Sequence, residues 1–533
     1  MPFLSKTRRK IYERKIKSFW IDFSHNKVGF LGLIIILCFI AMAISAPALT
    51  PYKPISQLYR APKLAVPYAL PAWVKVFPPY ADFNPTLTIT TDLEKATVID
   101  WGGPIEVDME NLTFRFNATE KNRSIKAWVV IDLRKNFSYQ YMYPPQLTMH
   151  VSYEMYFINR TQVNTYFIIK NYTANPAYEE HFKNPTRAEM WINRYLPEPS
   201  PVGNKTVRNL NVNSFTGLLK TDTAPVMWSL YKSDVLRRTE GIPDPAEIIF
   251  SQKGVYGLQV KIEFENPRKV NETTNMPLFD PETWKPIYET TYAELYLKEV
   301  RLTIWGRYHG ILGTDFGGND AWTELVYGAR ISLMVGVLAA VLATTLGILY
   351  GVISGYVGGF VDEFLMRIVD ILLCIPVLPI LLVLTRYYSP SIYFVVVLIA
   401  IFGWQGLSRV IRSKVLSLKE MAFIESARAS GASDMYLMFR HLIPNVLPIA
   451  MAAMVLAVPG AIITEAALSF LGFGDPNAPT WGRILYHAYQ LGGLKAWWVW
   501  VPPGLAITIL CVGFVFIGHA VDEIVNPRLR RRR

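Results

Sequence analysis

Seven histidines, three cysteines and 42 acidic side chains are the raw material for chemistry in this 533-residue sequence. Their spacing does not suit catalysis. No His-Glu-x-x-His, Cys-x-x-Cys or Gly-x-Ser-x-Gly occurs, and histidines such as His150, His181 and His309 are scattered. Glu179, Glu180 and His181 are adjacent, but three neighbouring polar residues read as a solvated turn. Cys38, Cys374 and Cys511 all fall inside apolar runs, which leaves the polar stretches without a disulfide framework. A phosphate-binding Gly-x-x-x-x-Gly-Lys-Ser/Thr loop is missing, as is any Gly-Lys pair. These residues predict a chain that is not an enzyme and holds no metal or cofactor.

Two patterns carry chemistry of another kind. The first is Glu420-Met-Ala-Phe-Ile-Glu-Ser-Ala-Arg-Ala-Ser-Gly431-Ala-Ser-Asp434. Ala, Glu, Met and Arg favour helix, and Gly431 is placed to end it at positive φ. Ser433 or Asp434 is then placed to cap a second helix, with Pro444 expected to break the pattern before the next apolar run. Ala422, Ala427 and Ala429 leave the first helix thin, a shape that suits docking in a partner's groove; a plain connecting loop is the competing reading. The second pattern is eight Asn-x-Ser/Thr sequons, at Asn111, Asn117, Asn122, Asn136, Asn159, Asn171, Asn204 and Asn271, and none elsewhere. Chance would give about two. They mark residues 47–305 as an extracellular, glycosylation-prone segment and suggest an archaeal-type surface.

Apolar runs must position these features. Val28–Ala46 carries no charge and as a helix would be about 28 Å long, close to the hydrocarbon thickness of a bilayer. A cleaved signal peptide is the alternative, but the polar leader of 27 residues and the long apolar run favour a retained anchor. Further runs at 331–353, 368–384, 392–407, 446–468 and 501–520 bring the expected spans to six, which puts both ends on one side. The net charge of +12 is concentrated at those ends, Lys6 to Lys17 and Arg528 to Arg533, and positive flanks face the cytoplasm. That placement argues for a membrane and against nucleic acid. The loop 409–445, with Arg409, Arg412, Lys414, Lys419, Arg428 and Arg440, is expected on the same side.

Pro376, Pro379, Pro459 and Pro503 fall in or near the spans, either lining a path or marking ordinary kinks. Gly347, Gly351 and Gly355 recur every four residues, with Gly359 next, and predict close helix packing, within the chain or against a second subunit. No span offers a convincing buried charge to mark a substrate site; Arg386 and Glu465 are the candidates, Glu465 reading equally as a helix-end group, and the substrate-binding residues stay unknown. Residues 47–305 are too long for a loop; Leu112–Phe116, Lys126–Leu133, Leu147–Ile158, Leu258–Phe264 and Leu295–Ile304 predict a β-rich, sandwich-like domain.

Glu425-Ser-Ala-Arg-Ala-Ser-Gly431, followed by His441-Leu-Ile-Pro444, resembles the EAA loop of ABC importer permeases, with Ser426 where the family has alanine. Leu312-Gly-Thr-Asp315, Tyr327-Gly-Ala-Arg-Ile-Ser-Leu333, Gly355-Tyr-Val-Gly-Gly359, Met366-Arg-Ile-Val-Asp370 and Leu471-Gly-Phe-Gly-Asp-Pro476 with Trp481-Gly482 look like the C-type subunit of dipeptide/oligopeptide importers. Asn319 departs from that family's usual arginine. The resemblance covers residues 309–533 with the first span and its leader, and does not explain the insert.

It implies an α-helical polytopic membrane protein of six transmembrane helices, ABC type I importer-like; the residue reading of the insert adds a β-rich extracellular domain between helices 1 and 2. The expected boundaries are a cytoplasmic leader 1–27, a first span 28–46, the outer domain 47–305, a permease core 306–520 and a cytoplasmic tail 521–533. By resemblance Glu420, Ala422, Glu425, Ala427, Gly431 and Asp434 belong to an ATPase-coupling loop. The implied partners are a second permease subunit, two ATP-binding subunits that bind the ATP, and an extracellular binding protein delivering peptides or oligosaccharides. The rival class is a surface receptor or adhesion glycoprotein, for which one anchor would suffice.

Overall fold

The computed structural model describes residues 20–525 except 55–62, 109, 120–122, 143, 159–161, 172–186, 193–205, 214–217, 222–223, 230–249, 251–252, 270–276 and 389–390. The two basic ends, the Glu179–His181 cluster, and Asn122, Asn159, Asn204 and Asn271 lie outside the described residues. The chain forms two compact units, Met1–Lys63 with Gly310–Arg533, and Leu64–His309.

The first unit is helical. Among the described residues four helices are long and apolar enough to cross a membrane: α1 (Lys27–Leu49), α2 (Ala321–Val357), α8 (Asp434–Phe470) and α10 (Trp497–Val525). Between them come α3 (Gly359–Cys374), α4 (Val377–Tyr387), α5 (Ile392–Ile401), α6 (Gln405–Lys419) and α7 (Ala422–Ala429), and α9 (Trp481–Gln490) precedes α10. The expected span 368–384 is corrected: α3 and α4 meet at 84°, broken at Ile375-Pro376. Pro376 lacks the N–H that a continuous helix would need, and the residue before a proline is driven to extended backbone; Ile375 has φ −77° and ψ 126°. The span 392–407 is corrected too. It bends by 42° between α5 and α6, and α6 runs to Lys419 through residues expected in a loop. Counting each bent pair as one span gives up to six.

Pro444 does not break α8, contrary to expectation. A π-helical turn at Met438–Leu442 immediately precedes the α-helical part that opens at Ile443, and the wider turn absorbs the proline ring. Small residues set the closest helix crossings. A Cβ on Gly32 of α1 would lie 2.6 Å from the Gly513 carbonyl of α10. Ile36, Ala43, Leu325, Leu333, Ile462, Leu510 and Phe514 then share one core among α1, α2, α8 and α10.

The second unit is β. Among the described residues one sheet has seven strands, ordered Ala224–Ser229, Leu218–Thr221, Arg187–Ile192, Gln162–Asn171, Gly254–Glu265, Lys126–Tyr139 and Thr97–Gly102. The other places Thr206–Asn213, Gln146–Ile158, Thr291–Trp305, Thr113–Ala118 and Ile105–Asp108 side by side, with Leu87–Thr90 also paired to Thr291–Trp305. Phe116 of the second sheet stacks on Phe264 of the first at 5.6 Å, and both belong to one core with Phe114, Ile131, Val260 and Leu295. In Thr291–Trp305 the buried positions are Thr291, Ala293, Leu295 and Leu297, then Val300, Leu302 and Ile304. The switch from odd to even follows a bulge between Leu297 and Glu299, where one extra residue turns the strand over. Asn111, Asn117 and Asn136 are exposed. Asn171 ends the strand Gln162–Asn171.

Candidate functional site

The segment from Gln405 to Asp434 is built on one buried stripe. Gln405, Ser408, Ile411, Val415 and Leu418 recur at three- and four-residue spacing along α6 and are buried. They face the glycines of α2. A Cβ on Gly347 would meet Leu407 at 3.1 Å, on Gly351 the Ser408 carbonyl at 2.6 Å, and on Gly355 the Arg412 carbonyl at 2.9 Å. These three glycines therefore pack α2 against α6 inside the chain. Gly359, next in the series, meets nothing within 4 Å and takes φ +55° where α3 begins.

The α7 helix is held from beneath by a single side chain. Ile424 is fully buried, in one cluster with Val352, Tyr356, Leu418, Leu437 and Leu442, and Ala427 packs at its edge. Ala422, Phe423, Glu425, Ser426, Arg428 and Ala429 are exposed. Glu420 is exposed where α6 ends. Gly431 has φ +84°; its N–H donates to the Arg428 carbonyl at 2.9 Å, and the Ala432 N–H donates to the Ala427 carbonyl at 3.1 Å. That pair of bonds is the Schellman closure of a helix, which glycine adopts without Cβ strain. Ser433, rather than Asp434, caps α8, its hydroxyl accepting from the Tyr436 N–H at 3.4 Å.

Asp434 has a different partner. The Tyr356 hydroxyl, from the last turn of α2, donates to Asp434 Oδ1 and accepts from Arg428 Nη2 at 3.4 Å. The Arg428 guanidinium also stands 5.8 Å from the centre of the Tyr356 ring. The hydrogen bond to Tyr356, with the nearby charges, holds the exposed Arg428 above its usual pKa. One tyrosine thus touches the helix before Gly431 and the helix after it. Beside it, Arg412 of α6 donates through Nε (2.6 Å) and Nη2 (2.5 Å) to Asp362 of α3, which also accepts from Ser354 of α2. Arg409 pairs with Asp370. Sequence reasoning missed Tyr356, Asp362 and Arg412 as a set, although Tyr356 and Asp370 stand inside the motif blocks Gly355–Gly359 and Met366–Asp370.

Removing only the shared hydroxyl isolates this link. Tyr356→Phe is expected to leave the helices folded and lower stability by about 1–2 kcal/mol. Thermal unfolding of the purified variant checks this. An unchanged unfolding temperature would show that the hydroxyl bridges nothing of consequence.

The motifs around Asp315, Asp475 and Trp481 build a lock rather than a reactive site. Asp315 accepts from the Asn319 N–H and side-chain amide, both at 2.9 Å, so asparagine here closes the turn that leads to α2. Asp475 accepts from the Ile392 N–H at the start of α5. Trp481 is buried, and its indole N–H donates to the Leu325 carbonyl at 2.9 Å. Arg483 Nε donates to His487 Nε2 at 3.2 Å; burial, and then the neighbouring arginine, lower His487 to about 4, so the ring is neutral and accepts. Of the two candidate charges, Arg386 is exposed in the last turn of α4, while Glu465 is buried in α8 and accepts from the Ser469 hydroxyl at 2.6 Å.

With this geometry in hand, the comparisons with known proteins are specific. The family of binding-protein-dependent transport system inner membrane components matches residues 347–531, and the N-terminal TM domain of oligopeptide transport permease C matches residues 16–67. A protein described as a peptide transport system permease, from Brucella suis, is 33% identical over 221 residues, 41% of this chain and 74% of its own length. The chain belongs to the oligopeptide permease C family of ABC importers. It is a permease subunit that spans the membrane several times.

A second Brucella suis peptide permease is 39% identical over 40% of this chain and 72% of its own. The oligopeptide transport system permease protein OppC of Bacillus subtilis is 36% identical over 41% of this chain and 72% of its own. A chain of the MetNI methionine ABC transporter, solved in inward-facing conformations, aligns over 39% of this permease and 97% of itself at 23% identity; its TM-score of 0.31 is too low to carry the fold. Neither family match enters residues 68–346, so nearly all of the β unit lies outside both.

Proposed function

We propose that this permease forms, with a second permease subunit, the translocation path for peptides handed over by an extracellular binding protein. Two ATP-binding subunits drive it, and α7 with its Gly431 turn is the surface on which one of them acts. The observation that carries this reading is the presentation of α7. Phe423, Glu425, Ser426 and Ala429 are exposed while Ile424 roots the helix and Tyr356 ties both sides of the turn to α2. A push on α7 therefore passes directly to a span, and a rigid helix with two alternative positions is a sufficient handle for alternating access.

Both termini and the loop 409–445 are cytoplasmic in this reading, and the β unit lies outside. The supports are the basic residues at both ends and in that loop, and the sequons, of which Asn111, Asn117 and Asn136 are exposed. Peptide is the substrate class because the relatives are described as peptide permeases. The test is uptake of a labelled peptide library into proteoliposomes holding the full complex and its binding protein. ATP-dependent peptide accumulation is expected. Accumulation of oligosaccharides with no peptide uptake would overturn the substrate assignment while leaving the permease assignment intact.

A further inference from the structure

Residues 64–81 contain no acidic side chain and one charge, Lys75. Within that stretch Val76, Phe77, Pro78, Pro79, Tyr80 and Ala81 are six consecutive exposed residues, with Val76 at 83% and Phe77 at 51%. Trp73, one turn earlier, is 45% exposed. A run of exposed apolar residues like this is a fault in a water-facing surface unless something covers it. Two short 3₁₀ turns, Ala72–Val76 and Pro78–Tyr80, hold it in shape. Val74 is buried beneath it. Lys75 donates to the Tyr308 hydroxyl at 3.3 Å with its ammonium 4.7 Å from that ring's centre. Met142, also exposed, is tied alongside by its N–H to the Asp82 carbonyl at 2.8 Å.

The position of the patch in the β unit says what covers it. Leu70–Pro71, directly before it, pairs in parallel with Tyr308–His309, the last residues of the unit. Only residues 310–320 separate this pair from α2, and on the other side residues 50–69 separate it from α1. Both covalent connections to membrane-spanning helices therefore leave the β unit at the end that carries the patch. The composition is that of a membrane interface: tryptophan and tyrosine rings with polar tips, aliphatic and proline surface, and one lysine whose ammonium stands over an aromatic ring.

We propose that Trp73 and Val76–Ala81 insert into the headgroup layer of the bilayer that α1 and α2 cross, so that the β unit is anchored by its own surface as well as by its two connections. The occupant is lipid. The first acidic residue after the patch, Asp82, pairs with Lys253 at 3.2 Å, which offsets its charge at the edge that would meet anionic headgroups.

The test uses full-length protein in nanodiscs of phosphatidylcholine with phosphatidylglycerol. Cys38, Cys374 and Cys511 are replaced by serine or alanine, and one cysteine is introduced for a fluorophore, Val76→Cys or Phe77→Cys. Asn117→Cys is the reference; Asn117 is exposed and pairs with Tyr292, at the opposite end of the strand Thr291–Trp305 from the chain exit. Nitroxide-labelled lipid is expected to quench the label at 76 or 77 about threefold or more over the reference, with aqueous iodide showing the reverse order. Equal iodide access at 76, 77 and 117 overturns the proposal. So does protection at 76 and 77 from both quenchers, which would mean that protein covers the patch.

Discussion

Replacing Gly351 with leucine is expected to stop this permease from folding into a stable helical unit. A Cβ at that position would already stand 2.6 Å from the Ser408 carbonyl and 2.7 Å from Ile411 Cβ, and the first of these is backbone that no rotamer change moves. To admit the side chain, α2 and α6 must separate, and separation strips packing from Val352, Ile411 and Val415, which share one buried cluster. Overpacking of this kind costs about 1–3 kcal/mol even where neighbours yield. Here the loss extends to Tyr356 of α2, which holds α7 and α8, and to Arg412 of α6, which holds α3, so the total is expected at the upper end or beyond. Gly460 supplies the control: it lies within α8, and a Cβ there would meet nothing within 4 Å. Gly460→Ala is expected to be neutral or stabilising by up to about 1 kcal/mol, the helix-propensity difference. Size-exclusion profiles and thermal unfolding of the purified variants separate the two. Equal behaviour of Gly351→Leu and Gly460→Ala would refute the packing assigned to α2 and α6.

Gly431→Trp is expected to leave the permease folded and to lower transport by about tenfold or more, the effect of losing about 1.4 kcal/mol or more from a coupling contact. Two effects combine in this variant. Gly431 sits at φ +84°, so any side chain other than that of glycine or asparagine carries about 1–2 kcal/mol of backbone strain. A Cβ there points into open space, so the indole adds bulk to the presented surface without a clash inside the chain. Gly431→Asn separates the two, because asparagine tolerates the left-handed backbone. Near-normal transport is expected for asparagine, an intermediate loss for alanine from strain alone, and the full loss for tryptophan. ATP-driven uptake measured beside ATP hydrolysis checks the series. Full transport with tryptophan would remove Gly431 from the coupling surface.

Much of this was legible in the sequence, for reasons that particular residues make clear. Charge-free runs such as Val28–Ala46 declare membrane helices because burying backbone in lipid leaves few alternatives. The bend at Pro376 was not legible, since membrane helices tolerate proline when neighbours satisfy the freed carbonyls, and Pro459 does lie inside a continuous helix. The continuation of α6 to Lys419 was hidden by Arg409, Arg412 and Lys414, which read as a polar loop. The stripe Ser408, Ile411, Val415, Leu418 would have revealed it, because its three- and four-residue spacing is that of a helix face.

The Gly431 closure was legible because a helix end and its glycine are neighbours in sequence. The Tyr356 bridge was not: 72 residues separate Tyr356 from Arg428 and 78 separate it from Asp434. The β unit shows the same division. Alternation located parts of Lys126–Tyr139, Gln146–Ile158, Gly254–Glu265 and Thr291–Trp305, but missed Gln162–Asn171 and that Gly254–Glu265 would lie between it and Lys126–Tyr139, an order set by contacts distant in sequence.

The claim that α7 receives the force of ATP hydrolysis is tested most directly by cross-linking. A cysteine is placed at Ser426, exposed on α7, in a chain otherwise free of cysteine, and the assembled importer is treated with a short bifunctional reagent. A covalent product with an ATP-binding subunit is expected, changing in yield when nucleotide is added, and none from a cysteine at Asn117 in the β unit. An intact complex in which position 426 never cross-links to the ATP-binding subunit would contradict the account.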